Sequence, residues 1–305
     1  MSEFLHRHGS RLLACMGVGL LGVLVWRFGW RTLLAELAAA DPVLLAAMVL
    51  LTVTGFWMRA WKWRIALGPG TDAVRVFFLA KVLGSWTPGR AGELGPLLMR
   101  RHRSLRMGAW IVADRCIEVW MTLGFGAFGL LGLRMLDVRV STSIAAGFLL
   151  LTVLAMVLSR VDFGAQDAQF AGRWARAGRL LHALRGEARD LGSKSMPIVF
   201  ITAFAKASDV AAVMCLCRAF GYDAGFLLVS AARCAHALVS AVPLTPDASG
   251  VPYLAQAALL HREAGMPLDV LTAALALEAL LIYAVLHASA AVVLWRAPEP
   301  MKENE

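Results

Sequence analysis

The chain has 305 residues, 59% of them hydrophobic and 17% charged, with a mean hydropathy of +0.66 and a formal charge of +9. It is too apolar for a soluble domain, and its longest polar stretch, the roughly 35 residues between Arg160 and Met196, is too short for a core of its own. These figures predict a polytopic helical membrane protein whose basic excess lies in cytoplasmic loops against anionic phospholipid, which removes nucleic acid as the partner.

In chain order, full spans are expected at 12–28, 42–58, 109–133, 141–159, 196–218 and 268–295. The first reads as retained: no small-residue cleavage site follows it, and Leu12-Leu13-Ala14-Cys15 precedes the apolar run instead of closing it. Trp26, Trp30, Trp57, Trp61, Trp63, Trp110 and Trp295 mark span ends and predict an interfacial belt. The five cysteines are odd in number, lack CxxC spacing and fall in apolar stretches, so they read as buried packing residues. The seven histidines show no HExxH spacing, and neither a metal nor a cofactor is expected.

Between the second and third spans, residues 81–103 read KVLGSWTPGRAGELGPLLMRRHR. The apolar run at 74–86 would make a helix of only ~20 Å, short of the ~30 Å hydrocarbon core. Pro88 then removes an N–H, and Gly89 frees the backbone. Two half-length helices predict a hairpin that enters and leaves on one side. An echo lies at 243–260, where Thr245, Pro246 and Gly250 repeat the Thr-Pro-x-x-x-Gly of Thr87, Pro88 and Gly92.

Charge orients these elements. Arg59, Lys62, Arg64 and Arg75 precede the first hairpin and Arg100, Arg101, Arg103 and Arg106 follow it, so both flanks are expected in the cytoplasm. With the N-terminus inside, nineteen of the thirty basic residues fall inside and six outside. The second hairpin, 226–260, then enters from the opposite side. The expected fold is an all-α integral membrane protein with one membrane domain, 1–305, both termini cytoplasmic. It has six full transmembrane helices and two re-entrant hairpins in an inverted-topology repeat. The halves are 1–135 and 140–160 with 196–295. Phe170, Trp174, Ala177, Leu181 and Leu184 alternate with arginines in a cytoplasmic amphipathic linker at 161–195.

Broken helices at membrane depth must line a cavity or be buried in protein. The half-helix after Pro88-Gly89 offers free N–H groups, and Arg90 adds a full charge, a combination suited to a phosphate or carboxylate head-group. Glu93 is placed to pair with Arg90 or with a cationic head-group; the alternative is a packing turn with a structural Arg–Glu pair. In the second copy Asp247 and Ser249 can cap the following half-helix and no arginine is present, while Arg233 and His236 lie on the entering half. Asp114, Arg115 and Glu118 open the third span, with Asp114 and Glu118 on one face. Lys206 and Asp209 in the fifth span and Glu278 in the sixth are candidates for an ion relay or for structural pairing.

The run Trp86-Thr87-Pro88-Gly89-Arg90-Ala91-Gly92-Glu93 resembles the first motif of the lysylphosphatidylglycerol synthase transmembrane region, also called the flippase-like domain. Asp114-Arg115-Cys116-Ile117-Glu118 is similar to its next motif, and Pro246-Asp247-Ala248-Ser249-Gly250 corresponds to a late one, with Asp247-Ala248 in place of the family's glycine pair. The likeness covers nearly the whole chain. The resemblance implies the lipid-handling membrane half without the aminoacyl-transfer domain. The leading expectation is a lipid translocase of the bacterial inner membrane that acts on a lipid with a polar or anionic head-group. A membrane-embedded lipid-modifying transferase and a non-catalytic accessory subunit of a lipid-synthesis complex are the alternatives. Candidate protein partners are a second copy of the chain or lipid-synthesis enzymes.

Overall fold

A computed structural model describes residues 30–68, 72–85, 87–98, 105–133, 146, 194–241 and 251–295, and the regular structure among them is helical. The expected spans 12–28 and 141–159, the linker up to residue 193 and the tip of the second hairpin lie outside the described residues, Ala146 excepted. A short helix, α1 (Trp30–Ala39), leads to α2 (Pro42–Leu67). Asp41 starts α2: its carboxylate accepts from Val43 N at 2.8 Å and Leu44 N at 3.3 Å, and Pro42 takes the first helical position, where no N–H is needed. Gly68 ends the helix with φ 91°, a conformation a side chain resists.

Next come α3 (Ala73–Ser85), a 3₁₀ limb (Pro88–Leu98), α4 (Leu105–Gly132), α5 (Ser195–Ala219), α6 (Phe226–Ala241), α7 (Val251–Ala264) and α8 (Leu268–Trp295). Among the described residues, three helices are long and apolar enough to cross a membrane: Pro42–Leu67, Met196–Ala219 and Val270–Trp295. They contain the expected spans at 42–58 and 196–218 and all but the first two residues of 268–295. Helix α4 has the length, with 28 residues, but Arg106, Asp114, Arg115 and Glu118 load its first half. By contrast, α3, α6 and α7 have 13, 16 and 14 residues. At ~1.5 Å per residue each is shorter than the ~30 Å hydrocarbon core.

Helix α2 runs on to Leu67, nine residues past the expected end of its span, and this corrects two placements. Arg59 and Lys62 do not lie in a flanking loop after the helix. They are buried inside α2, at 7% and 0% exposure, on the same stripe as Met48, Thr52, Gly55 and Ala66. Arg64 faces outward. The tryptophans divide in the same way. Trp57, Trp61 and Trp295 are exposed, but Trp63 and Trp110 are core residues that meet edge to face at 6.3 Å beside Phe77 and Phe78. Cys116 is exposed on α4, contrary to the reading of all cysteines as buried.

The packing comes in matched pairs. Helix α2 lies along α5. Helix α4 packs on α6 as α8 packs on α3; α3 pairs with the 3₁₀ limb as α6 pairs with α7; α4 meets the 3₁₀ limb as α8 meets α7. Exchanging α2, α3, the 3₁₀ limb and α4 for α5, α6, α7 and α8 reproduces almost every contact between these elements.

In lipid, apolar area does not drive helices together, so close approach does. Gly126, Gly129 and Gly132 form a small-residue stripe on α4 where it crosses α6. A Cβ at Gly129 would run into the carbonyl of Leu227 and sit 2.8 Å from Ala231 N, which are backbone atoms that cannot swing aside. Gly129→Ala is therefore expected to cost about 1–3 kcal/mol through overpacking, read as a lower melting temperature in detergent. An unchanged melting temperature would mean that the crossing is not close.

Candidate functional site

Two ion clusters lie inside the helices. In the first, Lys62, with no exposure, places Nζ 2.5 Å from Asp114 Oδ1 and 3.3 Å from Glu118 Oε1. One turn earlier on α2, Arg59 donates from Nε to Glu118 Oε1 at 3.1 Å. Its two terminal nitrogens grip Asp209 of α5, at 3.2 Å to Oδ1 and 2.5 Å to Oδ2. Lys206 of α5 stands 3.8 Å from Glu118 Oε2. Asp114 and Glu118 share a face of α4 because they are one turn apart, and the i, i+3 spacing of Arg59 and Lys62 presents both cations to them. The bidentate Arg59–Asp209 pair ties α2 to α5, and Glu118 ties both to α4.

The other constellation is built twice. In the first hairpin Lys81 of α3 donates to Glu93 of the 3₁₀ limb at 3.3 Å, and Arg115 of α4 pairs with the same Glu93 Oε1. In the second, Arg233 of α6 donates to Glu278 of α8 at 2.6 Å, and Gln256 of α7 donates to the other Glu278 oxygen at 2.9 Å. The positions correspond. Glu93 and Gln256 are each sixth in their limb, and Arg115 and Glu278 are each eleventh in their helix. Lys81 is ninth in α3 and Arg233 eighth in α6. The chemistry is exchanged, however: the acid sits on the limb in the first half and on the long helix in the second.

The first hairpin is tightly closed. Thr87 Oγ1 lies 3.3 Å from the carbonyls of both Leu83 and Gly84 and accepts from Gly92 N at 2.6 Å. Gly84 leaves room for Glu93, whose side chain a Cβ there would strike. Pro88, Gly89 and Arg90 lie in the 3₁₀ backbone, with side chains outside the described residues, and Thr245, Pro246, Asp247 and Gly250 lie outside them altogether.

Between the hairpins is a cavity of about 380 Å³ lined from α2 through α8, the 3₁₀ limb included. Of the residues singled out in the sequence, Glu93, Arg115, Glu118, Lys206, Asp209 and Glu278 line it, while Asp114 lies behind the wall against Lys62. Arg233 and His236, noted in the sequence on the entering half of the second hairpin, line it too, as do Arg59 and Lys81, to which the sequence reading gave no place in the site. The signal for Arg59 was available in the sequence, in its spacing from Thr52 and Gly55. Gln256 carried none, because an amide in a half-helix is common. Cavities of this size accept a small molecule or a head-group. In a low-dielectric wall the paired charges fix the side chains and leave their remaining polar valences for a guest.

No curated protein and no solved structure matches the chain. Residues 11–290 match the family described as the lysylphosphatidylglycerol synthase TM region. With most of its length matched and its apolar helices long enough to cross a bilayer, the chain is a membrane protein belonging to the lysylphosphatidylglycerol synthase TM region family, the flippase-like group.

Proposed function

We propose that this protein is a lipid translocase of the bacterial inner membrane that passes a polar or anionic head-group through the cavity between its two hairpins. The observation that carries this reading is the cavity itself: charged side chains from both hairpins and from the long helices converge on one space inside an apolar helical protein. Such charges at membrane depth are costly and mark pathways for polar cargo. The matched packing and the two corresponding triads support a repeat of 1–135 against 140–160 with 196–295, and the basic bias of the loops supports its inversion, with six spans, two re-entrant hairpins and cytoplasmic termini. Anionic phospholipid at the cytoplasmic face, a second copy of the chain and lipid-synthesis enzymes are the partners consistent with it.

The carboxylates that a transferase would need as acid or base are engaged in the structure. Glu93 is held by Lys81 and Arg115, and Asp114 by Lys62. That favours transport over catalysis. The test is leaflet exchange of acyl-labelled phospholipid in proteoliposomes. Arg90, beside the N–H-rich start of the 3₁₀ limb, is expected to meet the head-group. Arg90→Ala should slow exchange about tenfold or more, the loss of one charge-assisted hydrogen bond, at unchanged membrane abundance. Equal loss of exchange and abundance would assign Arg90 to folding instead.

A further inference from the structure

The second hairpin holds its acid in a way the first does not. Glu278 and Gln256 are both fully buried, and Glu278 lines the cavity. Arg233 Nη1 donates to Glu278 Oε1 at 2.6 Å, and Gln256 Nε2 donates to Glu278 Oε2 at 2.9 Å. Gln256 Oε1 lies 3.5 Å from the same Arg233 nitrogen. One carboxylate thus ties α8 to both limbs of the hairpin. Resting on the translocase reading, we propose that Glu278 is a proton-binding site whose proton couples translocation to a pH gradient. Glu278 Oε1 takes a proton from cavity water and the ion pair with Arg233 opens. The proton returns to water on the opposite face of the membrane when the pair forms again.

The partners of the acid carry the inference. A buried group that binds and releases a proton needs neighbours that suit both of its forms, because an unmet polar atom is costly in a low-dielectric interior. An amide suits both: Gln256 donates to the carboxylate and, turned over, accepts from the carboxylic acid. Lysine and arginine only donate, so Lys81 and Arg115 suit Glu93 in its ionised form alone. Corresponding positions of the two hairpins thus hold a fixed acid and an exchangeable one. A path for the proton is a separate observation. Ser230, Arg233, Ala237 and Ser240 share one face of α6 and line the cavity. Both serines are buried, and among the described residues neither Oγ has a hydrogen-bond partner. Hydroxyls donate and accept, as a relay through water requires. The ionisable groups around Glu278 are committed elsewhere. Asp209 of α5 is gripped by Arg59 of α2, Lys206 of α5 stands at Glu118, and Lys81 of α3 holds Glu93. His236 of α6 meets Tyr253 of α7 edge to face at 4.6 Å. Cys217 of α5 faces Glu278 as a neutral thiol. On α8 itself, Tyr283 and His287 are joined at 2.8 Å through the Tyr283 carbonyl. Glu36 of α1 sits at the Val270 end of α8, about two turns away.

The probe is acyl-labelled phosphatidylglycerol in proteoliposomes of phosphatidylethanolamine and phosphatidylglycerol, with a gradient of about one pH unit across the bilayer. The label should accumulate in one leaflet by up to about tenfold over protein-free vesicles, the ratio that one coupled proton sustains. Reversing the gradient should reverse the bias, and Glu278→Gln should abolish it. A histidine such as His236 would also give a pH profile, so the site is read directly as well. Infrared difference spectra of the full-length protein in detergent, taken between two pH values, should show a carboxylic C=O band that Glu278→Gln removes and Glu278→Asp displaces. Gln256→Lys gives the second acid the donor-only partner of the first. It should weaken the band severalfold at the pH where wild type shows half of it, and the added ion pair keeps Glu278 partnered if Glu278→Gln fails to accumulate. Exchange without a gradient-driven bias, a bias that survives Glu278→Gln, or a band that survives it or is untouched by Gln256→Lys would each overturn the proposal. The two readings separate cleanly. A Glu278 band without lipid exchange retires the translocase and keeps the proton site, whereas exchange without the band retires the site and keeps the translocase.

Discussion

Arg59→Ala should leave little folded protein in the membrane. The guanidinium is the hinge pin of the first ion cluster, with Glu118 of α4 at 3.1 Å on one side and Asp209 of α5 at 2.5 Å on the other. Removing it takes the bidentate partner from the half-buried Asp209 and one of three cations from the buried Glu118, which among the described residues keeps only Lys62 and Lys206. Breaking one buried pair in this way costs about 3–5 kcal/mol, against a total stability of about 5–15 kcal/mol. The expected result is a sharp drop in membrane abundance and, for the fraction that survives extraction, a melting temperature well below wild type. The control is the double variant Arg59→Ala with Asp209→Asn. With one orphaned charge removed, it should recover part of the loss, because the penalty lies more in the unpaired carboxylate than in the missing attraction. If both variants melt like wild type, the cluster does not hold α2 against α5.

Arg59 also shows where sequence reading stopped. Spans 42–58, 196–218 and 268–295 were legible because length and apolarity alone decide them. What failed was the end of the second span. A membrane reading ends a helix at the first cluster of charges, and Arg59, Lys62 and Arg64 look alike in a hydropathy window. They differ in phase: Arg59 and Lys62 fall on the stripe that also holds Met48, Thr52, Gly55 and Ala66, while Arg64 points away. Their partners, Asp114, Glu118 and Asp209, lie tens of residues away in sequence, so the composition of α2 gave no reason to keep the charges inside. The same blindness set Trp63 and Trp110 at an interface when they stack in the core. Glu93, Asp114 and Arg115 drew attention because charges beside a broken helix are rare. That Glu93 holds Lys81 and Arg115 required the three-dimensional crossing of α3, the 3₁₀ limb and α4. The correspondence of Gln256 with Glu93 was hidden for a further reason: the acid has moved to Glu278, so the two copies do not align by residue type.

The first hairpin is where the smallest change should have the largest local effect. Gly92→Val is expected to open it. The Gly92 amide donates to Thr87 Oγ1 at 2.6 Å, and Thr87 in turn lies against the carbonyls of Leu83 and Gly84, so one hydroxyl staples the end of α3 to the start of the 3₁₀ limb. A Cβ at position 92 would meet the Leu83 carbonyl, a backbone atom, and lie 2.8 Å from Thr87 Oγ1. Neither can give way while the staple holds. The overpacking costs about 3 kcal/mol, the upper end for a core insertion, and the staple adds the loss of its hydrogen bonds. The consequence reaches the cavity, because Glu93 is the next residue, and its pairs with Lys81 and Arg115 require the limb to stay against α3. Thr87→Ala separates the two effects: it removes the hydroxyl without adding bulk and should cost only about 1 kcal/mol. The measurement is thermal unfolding in detergent together with protease accessibility of the 88–98 segment. Gly92→Val should expose that segment and lower the melting temperature, and Thr87→Ala should do so more weakly. If Gly92→Val keeps the segment protected, the two limbs are not in contact at Leu83, and the cavity wall built on Glu93 would have to be redrawn.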